Sequence, residues 1–192
     1  MKPLDRATLT KDEECLIAPC GIYCGACDPF LGRSNKLAKE LYRIIIGFNI
    51  ADVSPIMLGV EQERIKDFLT ILKQMGEAKA CPGCLAGGGN PACPVKICIG
   101  EKGGLTCAEC DKMPCSGDKN KGEREPMSAP DILEMITKRY ANWNMENLQR
   151  IREVGYRQFI DEMQQKVQKG FLTSDVISGE MVVTEFLEKM VK

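Results

Sequence analysis

The sequence contains no histidine. That excludes a Ser-His-Asp triad, zinc sites of the HExxH type and any imidazole proton shuttle. Net charge is also nearly absent: 26 lysines and arginines against 27 aspartates and glutamates leave −1 over 192 residues. So even a balance carries no electrostatic footprint for nucleic acid, and no acidic tail marks a solvating segment. No apolar run reaches the length of about 18 residues that a membrane span requires. The N-terminus, MKPLDRATLTKDEE, lacks the apolar stretch of a secretory signal, and a cytoplasmic protein is expected. The apolar class is 44% of the chain. Without its cysteines that falls to about 38%, the low edge for a globular protein. The length suits a single domain, residues 1–192.

What the sequence does have is cysteine, 11 in all. An odd number of thiols without an export signal points away from disulfides and towards metal ligation. Cys20, Cys24 and Cys27 form C-x3-C-x2-C. Cys81 and Cys84 form C-x2-C, Cys93 and Cys98 form C-x4-C, and Cys107, Cys110 and Cys115 form C-x2-C-x4-C. A C-x2-C turn aims two thiolates at one tetrahedral ion. The ten patterned cysteines are the candidate metal ligands, and Cys15, in the charged run KDEEC, is expected to be a spare thiol. With no imidazole available, the ligands must be almost entirely thiolate. That suits closed structural zinc, about two ions, and equally an iron–sulfur cluster. Two four-thiolate zinc sites would take the formal charge to about −5. One partition of the ligands joins Cys81/Cys84 to Cys107/Cys110, leaving Cys20, Cys24 and Cys27 to find a fourth partner in Cys93, Cys98 or Cys115.

Composition divides the chain into cysteine-rich parts, 16–30 and 77–126, and helical parts, 34–75 and 128–192. Residues 1–15 are polar and expected to be loosely attached. Ser34 reads as an N-cap before a helix to about residue 48, with Leu37, Leu41, Ile44, Ile45 and Phe48 as its apolar stripe. Ser54-Pro55 reads as a second start, followed by Val60, Ile65, Phe68, Leu69, Leu72 and Met75, with Gly76 as a C-terminal cap. Residues 76–126 hold ten glycines, five prolines and seven cysteines but only six large apolar side chains. Six such side chains cannot offset the ordering entropy of the segment, so it must draw stability from metal or from the helices. Short hairpins are expected there. Ser128 and Pro130 open another helix. Asn144 is expected to cap the next, which carries Leu148, Ile151, Phe159, Met163 and Val167, holds Gly155 in its interior and stops at Gly170. A last helix is expected from about Ser178.

Other signals have plainer readings. Gly87-Gly88-Gly89 lacks the Lys-Ser or Lys-Thr of a phosphate-binding loop and reads as a turn. The methionines read as core, and Tyr140 and Trp143 as anchors of a helix junction. The adjacent carboxylates Glu13/Glu14 and Asp161/Glu162 diverge on a helix and form no acid/base pair. C-x3-C-x2-C also matches the cluster motif of radical S-adenosylmethionine enzymes, but the chain has neither the length nor the βαβ alternation of their barrel.

Taken in order, CGIYCGAC (20–27), CPGC (81–84), CPVKIC (93–98) and CAECDKMPC (107–115) resemble the elements of an uncharacterised cysteine-rich family of bacteria and archaea. That family is a domain of unknown function taken to bind zinc. NLQRIREVGYRQFIDEM (147–163) resembles the next helix in its longer members, so the likeness covers roughly residues 15–190. The resemblance implies the same ten ligands, matches no position to Cys15 and implies no activity.

The sequence thus predicts a mainly α protein, with helices packed around an irregular cysteine-rich metal-binding module that carries short hairpins or a small α+β element. A binding or scaffold role is expected rather than catalysis; the partner is left open, a protein being the candidate, and neither nucleic acid nor membrane is expected. An iron–sulfur redox protein and a thiol-dependent enzyme are the alternatives.

Overall fold

The computed structural model describes residues 4–115 and 127–177. The expected mainly helical class is what it shows. Seven α-helices occur among these residues: α1 (Lys11–Glu14), α2 (Arg33–Gly47), α3 (Ile50–Met57), α4 (Gln62–Glu77), α5 (Pro94–Glu101), α6 (Ala129–Arg139) and α7 (Trp143–Gln168). The hairpins expected around the cysteines reduce, among the described residues, to one antiparallel bridge between Ile17 and Tyr23. The helix expected from about Ser178 lies outside the described residues. The chain divides into two compact units, Asp28–Cys81 and the remainder, Met1–Cys27 with Pro82–Lys192.

The Asp28–Cys81 unit is built from α2, α3 and α4. Its core is Ala38, Ile45, Leu69 and Leu72, with Tyr42, Ile50, Ala51 and Ile65 packed against it. The buried face of α2 is therefore the 38/42/45 side. Of the expected stripe only Ile45 is buried, while Leu37, Leu41, Ile44 and Phe48 are exposed. α2 is apolar on two sides, and periodicity alone does not choose between them. Its N-cap is Gly32 in the left-handed region rather than Ser34. Pro55 lies inside α3 rather than opening a helix. A proline there has no N–H for the carbonyl of Ala51. The Ser54 hydroxyl donates to that carbonyl instead, at 3.0 Å. Gly76 does not cap α4 but lies within it, where an added Cβ would meet Lys39 Cβ at 3.1 Å. The end of α4 is capped from α2, by the Asn35 amide donating to the carbonyls of Met75 and Ala78.

In the other unit, α7 is the longest element, with Leu148, Ile151, Tyr156, Phe159, Ile160 and Met163 buried along it. Tyr23 meets Phe159 edge to face, with ring centroids 6.0 Å apart. As expected, Ser128 caps α6 through a capping box with Asp131, and Trp143 is buried at the helix junction, against Phe171. Asn142, in the left-handed region, caps α7 in place of Asn144. CPVKIC, expected to be irregular, forms α5, with Cys93 as N-cap and Pro94 in the first turn, where a proline sacrifices no helical bond.

Gly155 breaks α7, with φ 84° and ψ 171°. The carboxylate of Asp5 accepts from the backbone N–H groups of Tyr156 and Arg157, at 2.6 and 3.3 Å, and so caps the second half of the helix. Residues 4–15 are thus anchored rather than loosely attached. Arg157 reinforces this, pairing with Glu13 and donating to the carbonyl of Thr8. Arg157 and the Thr10 backbone hold the Glu13 carboxyl down at about 2, against an ordinary value of 4.5. A depressed carboxyl stabilises the fold above its unfolded pKa and loses that contribution as pH falls through the folded one. Glu13→Gln should therefore flatten the acid limb of the stability curve between about pH 5 and 2. Urea midpoints measured across that range check it. An acid limb unchanged by the substitution would remove this pair from the N-terminal anchor.

Candidate metal centre

Most of the candidate ligands within the larger unit sit on turns, and α7 braces those around Cys20 and Cys107–Cys110. Cys20 comes directly after Pro19 in the loop closed by the Ile17–Tyr23 bridge. Gly21, at φ 92°, lets that loop lie directly against α7. The amide of Asn144 donates to the Cys20 carbonyl at 3.2 Å, and that of Asn147 to the Gly21 carbonyl at 2.9 Å. Cys24 and Cys27 bracket a 3-10 turn closed by the Cys27 N–H on the Cys24 carbonyl, at 2.9 Å. Burial pushes the Cys20 thiol far above its ordinary range, and the thiols of Cys84, Cys24 and Cys107 push it further. The Tyr140 phenol is raised chiefly by burial; Arg139 opposes the shift, and Cys27, Cys20 and Cys24 add to it. Cys20 thus shares an electrostatic neighbourhood with Cys84, Cys24 and Cys107, and Tyr140 shares one with Cys27, Cys20 and Cys24.

A second group stands beside the first. Cys107 and Cys110 bracket a 3-10 turn closed in the same way, by the Cys110 N–H on the Cys107 carbonyl at 3.1 Å. Cys98 comes from α5 and Cys115 from the segment after Pro114. These four thiols line a small cavity of about 20 Å³, together with Val95, Ile99, Met113 and Leu133. The Cys107 thiol is pushed up to about 12, first by burial and then by Cys115, Cys110 and Cys98. Lys102 donates to Cys110 Sγ at 3.3 Å, and this bond, with a further one to Cys98, raises the lysine. The backbone N–H of Cys107 donates to the Pro19 carbonyl at 2.8 Å, which ties the second group to the loop of the first.

Among the described residues, no three Cys, Asp or Glu side chains stand close enough together, as placed, to hold a metal ion. The structure brings thiols near one another without drawing three of them into ligand contact. Of the other cysteines, Cys93 caps α5 and Cys15 caps α1. Cys81 ends the smaller unit, its N–H donating to the Pro29 carbonyl at 3.0 Å.

Sequence reasoning missed the residues that hold these turns. Arg152 of α7 donates from all three guanidinium nitrogens, to the carbonyls of Ala108 (2.8 Å), Cys110 (2.5 Å) and Met113 (3.2 Å). The Tyr156 hydroxyl donates to Glu109 at 2.5 Å and lies 2.9 Å from Thr106 Oγ1, which accepts from the Ala108 N–H. Burial and the Glu109 carboxylate hold the Tyr156 phenol far above its usual range. A partial signal was present: Asn144 and Asn147, and then Arg152 and Tyr156, form pairs three and four residues apart on one predicted helix.

These features define a mainly helical, cysteine-rich protein whose thiols gather in two neighbouring groups on turns held by one helix. The chain belongs to a family of proteins of unknown function, DUF3795, whose model matches residues 16–120. The match contains all ten patterned cysteines and ends before α6 and α7. No curated protein and no solved structure matches the chain.

Proposed function

We propose that the protein is a cytoplasmic zinc-binding scaffold, holding two ions in four thiolates each. The observation that carries this reading is the small cavity lined by Cys98, Cys107, Cys110 and Cys115. Four thiolates and no imidazole are the donor set of a closed structural zinc site. Val95, Ile99, Met113 and Leu133 add apolar side chains to the lining, which suits an enclosed, structural ion. Cys107, one of the three thiols that act on Cys20, is taken by the first site; the other two, Cys24 and Cys84, join Cys20 and its chain neighbour Cys27 as the second set. This grouping replaces the one expected from spacing, and it leaves Cys81 and Cys93 without an ion. Bound zinc would supply cross-links between turns rather than a reactive centre, because four protein ligands leave no open position for water. The chain's own part is to hold the turns: Arg152 grips the backbone around Cys107–Cys115, and Lys102 offsets thiolate charge at Cys98 and Cys110.

The test is elemental analysis of untagged protein purified without oxygen or chelators. About two zinc ions per chain are expected, with no absorbance near 400 nm. Cys98→Ser and Cys84→Ser should each lose about one equivalent, while Cys81→Ser and Cys93→Ser should keep both. Iron with matching sulfide, or protein free of metal, would overturn the reading.

A further inference from the structure

We propose that the Asp28–Cys81 unit carries a self-association face: α2 and α4 of one copy pack on α2 and α4 of a second copy as a four-helix bundle. Leu37, Leu41 and Ile44 of α2 and Phe48 at its C-cap are exposed, and so are Phe68, Ile71 and Met75 of α4. In each helix the intervals alternate between three and four residues, the spacing of a seam between packed helices. The same intervals recur in Ala38, Tyr42 and Ile45, the seam that packs on α4. So α2 carries two seams, one used inside the unit and one left exposed.

Both exposed seams lie on one side of the helix pair. Leu37, Leu41 and Ile44 each directly precede a residue of the covered seam. Phe68 and Ile71 likewise precede Leu69 and Leu72, and Met75 precedes Gly76, which lies against Lys39 of α2. One residue along a helix is a turn of about 100°. The Asn35 amide, at the start of α2, reaches the carbonyls at the end of α4, so the two helices run antiparallel. In antiparallel helices equal turns lead to the same side of the pair.

The extent of this face and the charge along its edges fit a second copy. The buried core of the unit is only Ala38, Ile45, Leu69 and Leu72, and a single layer of helices needs a second layer to complete a core. At about 200 Å² for a whole large side chain, the seven exposed ones leave about 700 Å² in water. The largest patch on a typical monomer is about 300–600 Å², whereas each side of a standard interface is about 800 Å². Outward of the exposed seams come Lys36, Glu40 and Arg43 on α2 and Asp67, Thr70 and Gln74 on α4, a net basic edge and a net acidic one. A two-fold axis parallel to the helices lays α2 of one copy on α4 of the other and sets each edge against its opposite. Glu40, Arg43, Ile44, Gly47 and Phe48 line a groove of about 460 Å³, kept open by Gly47, where a side chain of the second copy can enter.

The experiment is sedimentation equilibrium of the full chain. At about 10 µM the protein should weigh as two chains, since an interface of standard size holds with micromolar affinity or tighter. Ile44 and Ile46 are matched probes on one helix, 52% and 53% exposed, but Ile46 follows Ile45 and so stands on the other side. Ile44→Glu should raise the dissociation constant at least about tenfold, because it places a charge inside the seam of both copies. Ile46→Glu should change it less than about twofold. Both variants should keep the far-UV circular dichroism of the parent, since neither side chain belongs to the core. A chain that stays monomeric at about ten times that concentration would overturn the proposal. So would a dimer that the two variants weaken equally or leave equally intact, because its contacts would then lie elsewhere. The face holds none of the candidate metal ligands, so each of these results stands apart from the zinc reading.

Discussion

Gly21→Ala should be among the most damaging single substitutions in the chain, costing about 3–5 kcal/mol. Two effects combine. Gly21 sits at φ 92°, which an L side chain adopts only under strain. The added Cβ would also lie 2.3 Å from the backbone oxygen of Asn144 and 2.6 Å from Leu148 Cγ. Neither can yield cheaply, because one belongs to the backbone of α7 and the other to a fully buried side chain. Moving the loop instead would break the Asn147 bond to the Gly21 carbonyl and shift Cys20 and Cys24. Against a total stability of about 5–15 kcal/mol, the loss should appear as a large fall in the urea midpoint. Gly87→Ala is the control. Its φ is 94°, but nothing lies within 4 Å of the new Cβ, so only strain of about 1–2 kcal/mol applies. Equal shifts for the two variants would show that close approach to α7 is not what holds the loop.

Removing the proposed zinc should have the other large effect. A strong chelator under reducing conditions should lower the melting temperature by about 10 °C or more, since structural zinc contributes many kcal/mol of folding free energy. The damage should be local. Residues 82–115 bury only Val95, Ile99, Leu105 and Met113 among their large apolar side chains, and much of their backbone is turn. Limited proteolysis should open this stretch first. The Asp28–Cys81 unit, cored by Ile45, Leu69 and Leu72, should persist as a resistant helical fragment. A melting temperature and cleavage pattern indifferent to the chelator would mean that α5, α6 and α7 hold the turns without help.

The face of α7 shows what could be read in advance. Leu148, Ile151, Phe159 and Met163 are apolar at helical spacing, and all four are buried. The start of α6 at Ser128-Pro130 and the stop at Gly170 rest on chemistry confined to a few neighbouring residues. α2 shows the opposite. Its apolar residues occupy two sides, and the choice of 38/42/45 belongs to α4, whose Leu69 and Leu72 receive them. Pro55 could lie inside a helix because Ser54 replaces the missing donor. Gly155 could break α7 because Asp5, 150 residues earlier in the chain, caps the half of the helix that starts at Tyr156.

The sequence by itself determined the helical class, the ends of the helices whose caps are local, and the supply of clustered thiols without imidazole, because each depends on residue type and short-range spacing. Only the tertiary structure decided which thiols become neighbours. It places Cys98 of α5 beside Cys107, Cys110 and Cys115, and brings Cys84 within electrostatic reach of Cys20. The physical reason is that the turns bearing the cysteines are positioned from outside, by Arg152, Asn144, Asn147 and Tyr156 on a helix that lies beyond them in the chain. Spacing between cysteines carries no record of that helix.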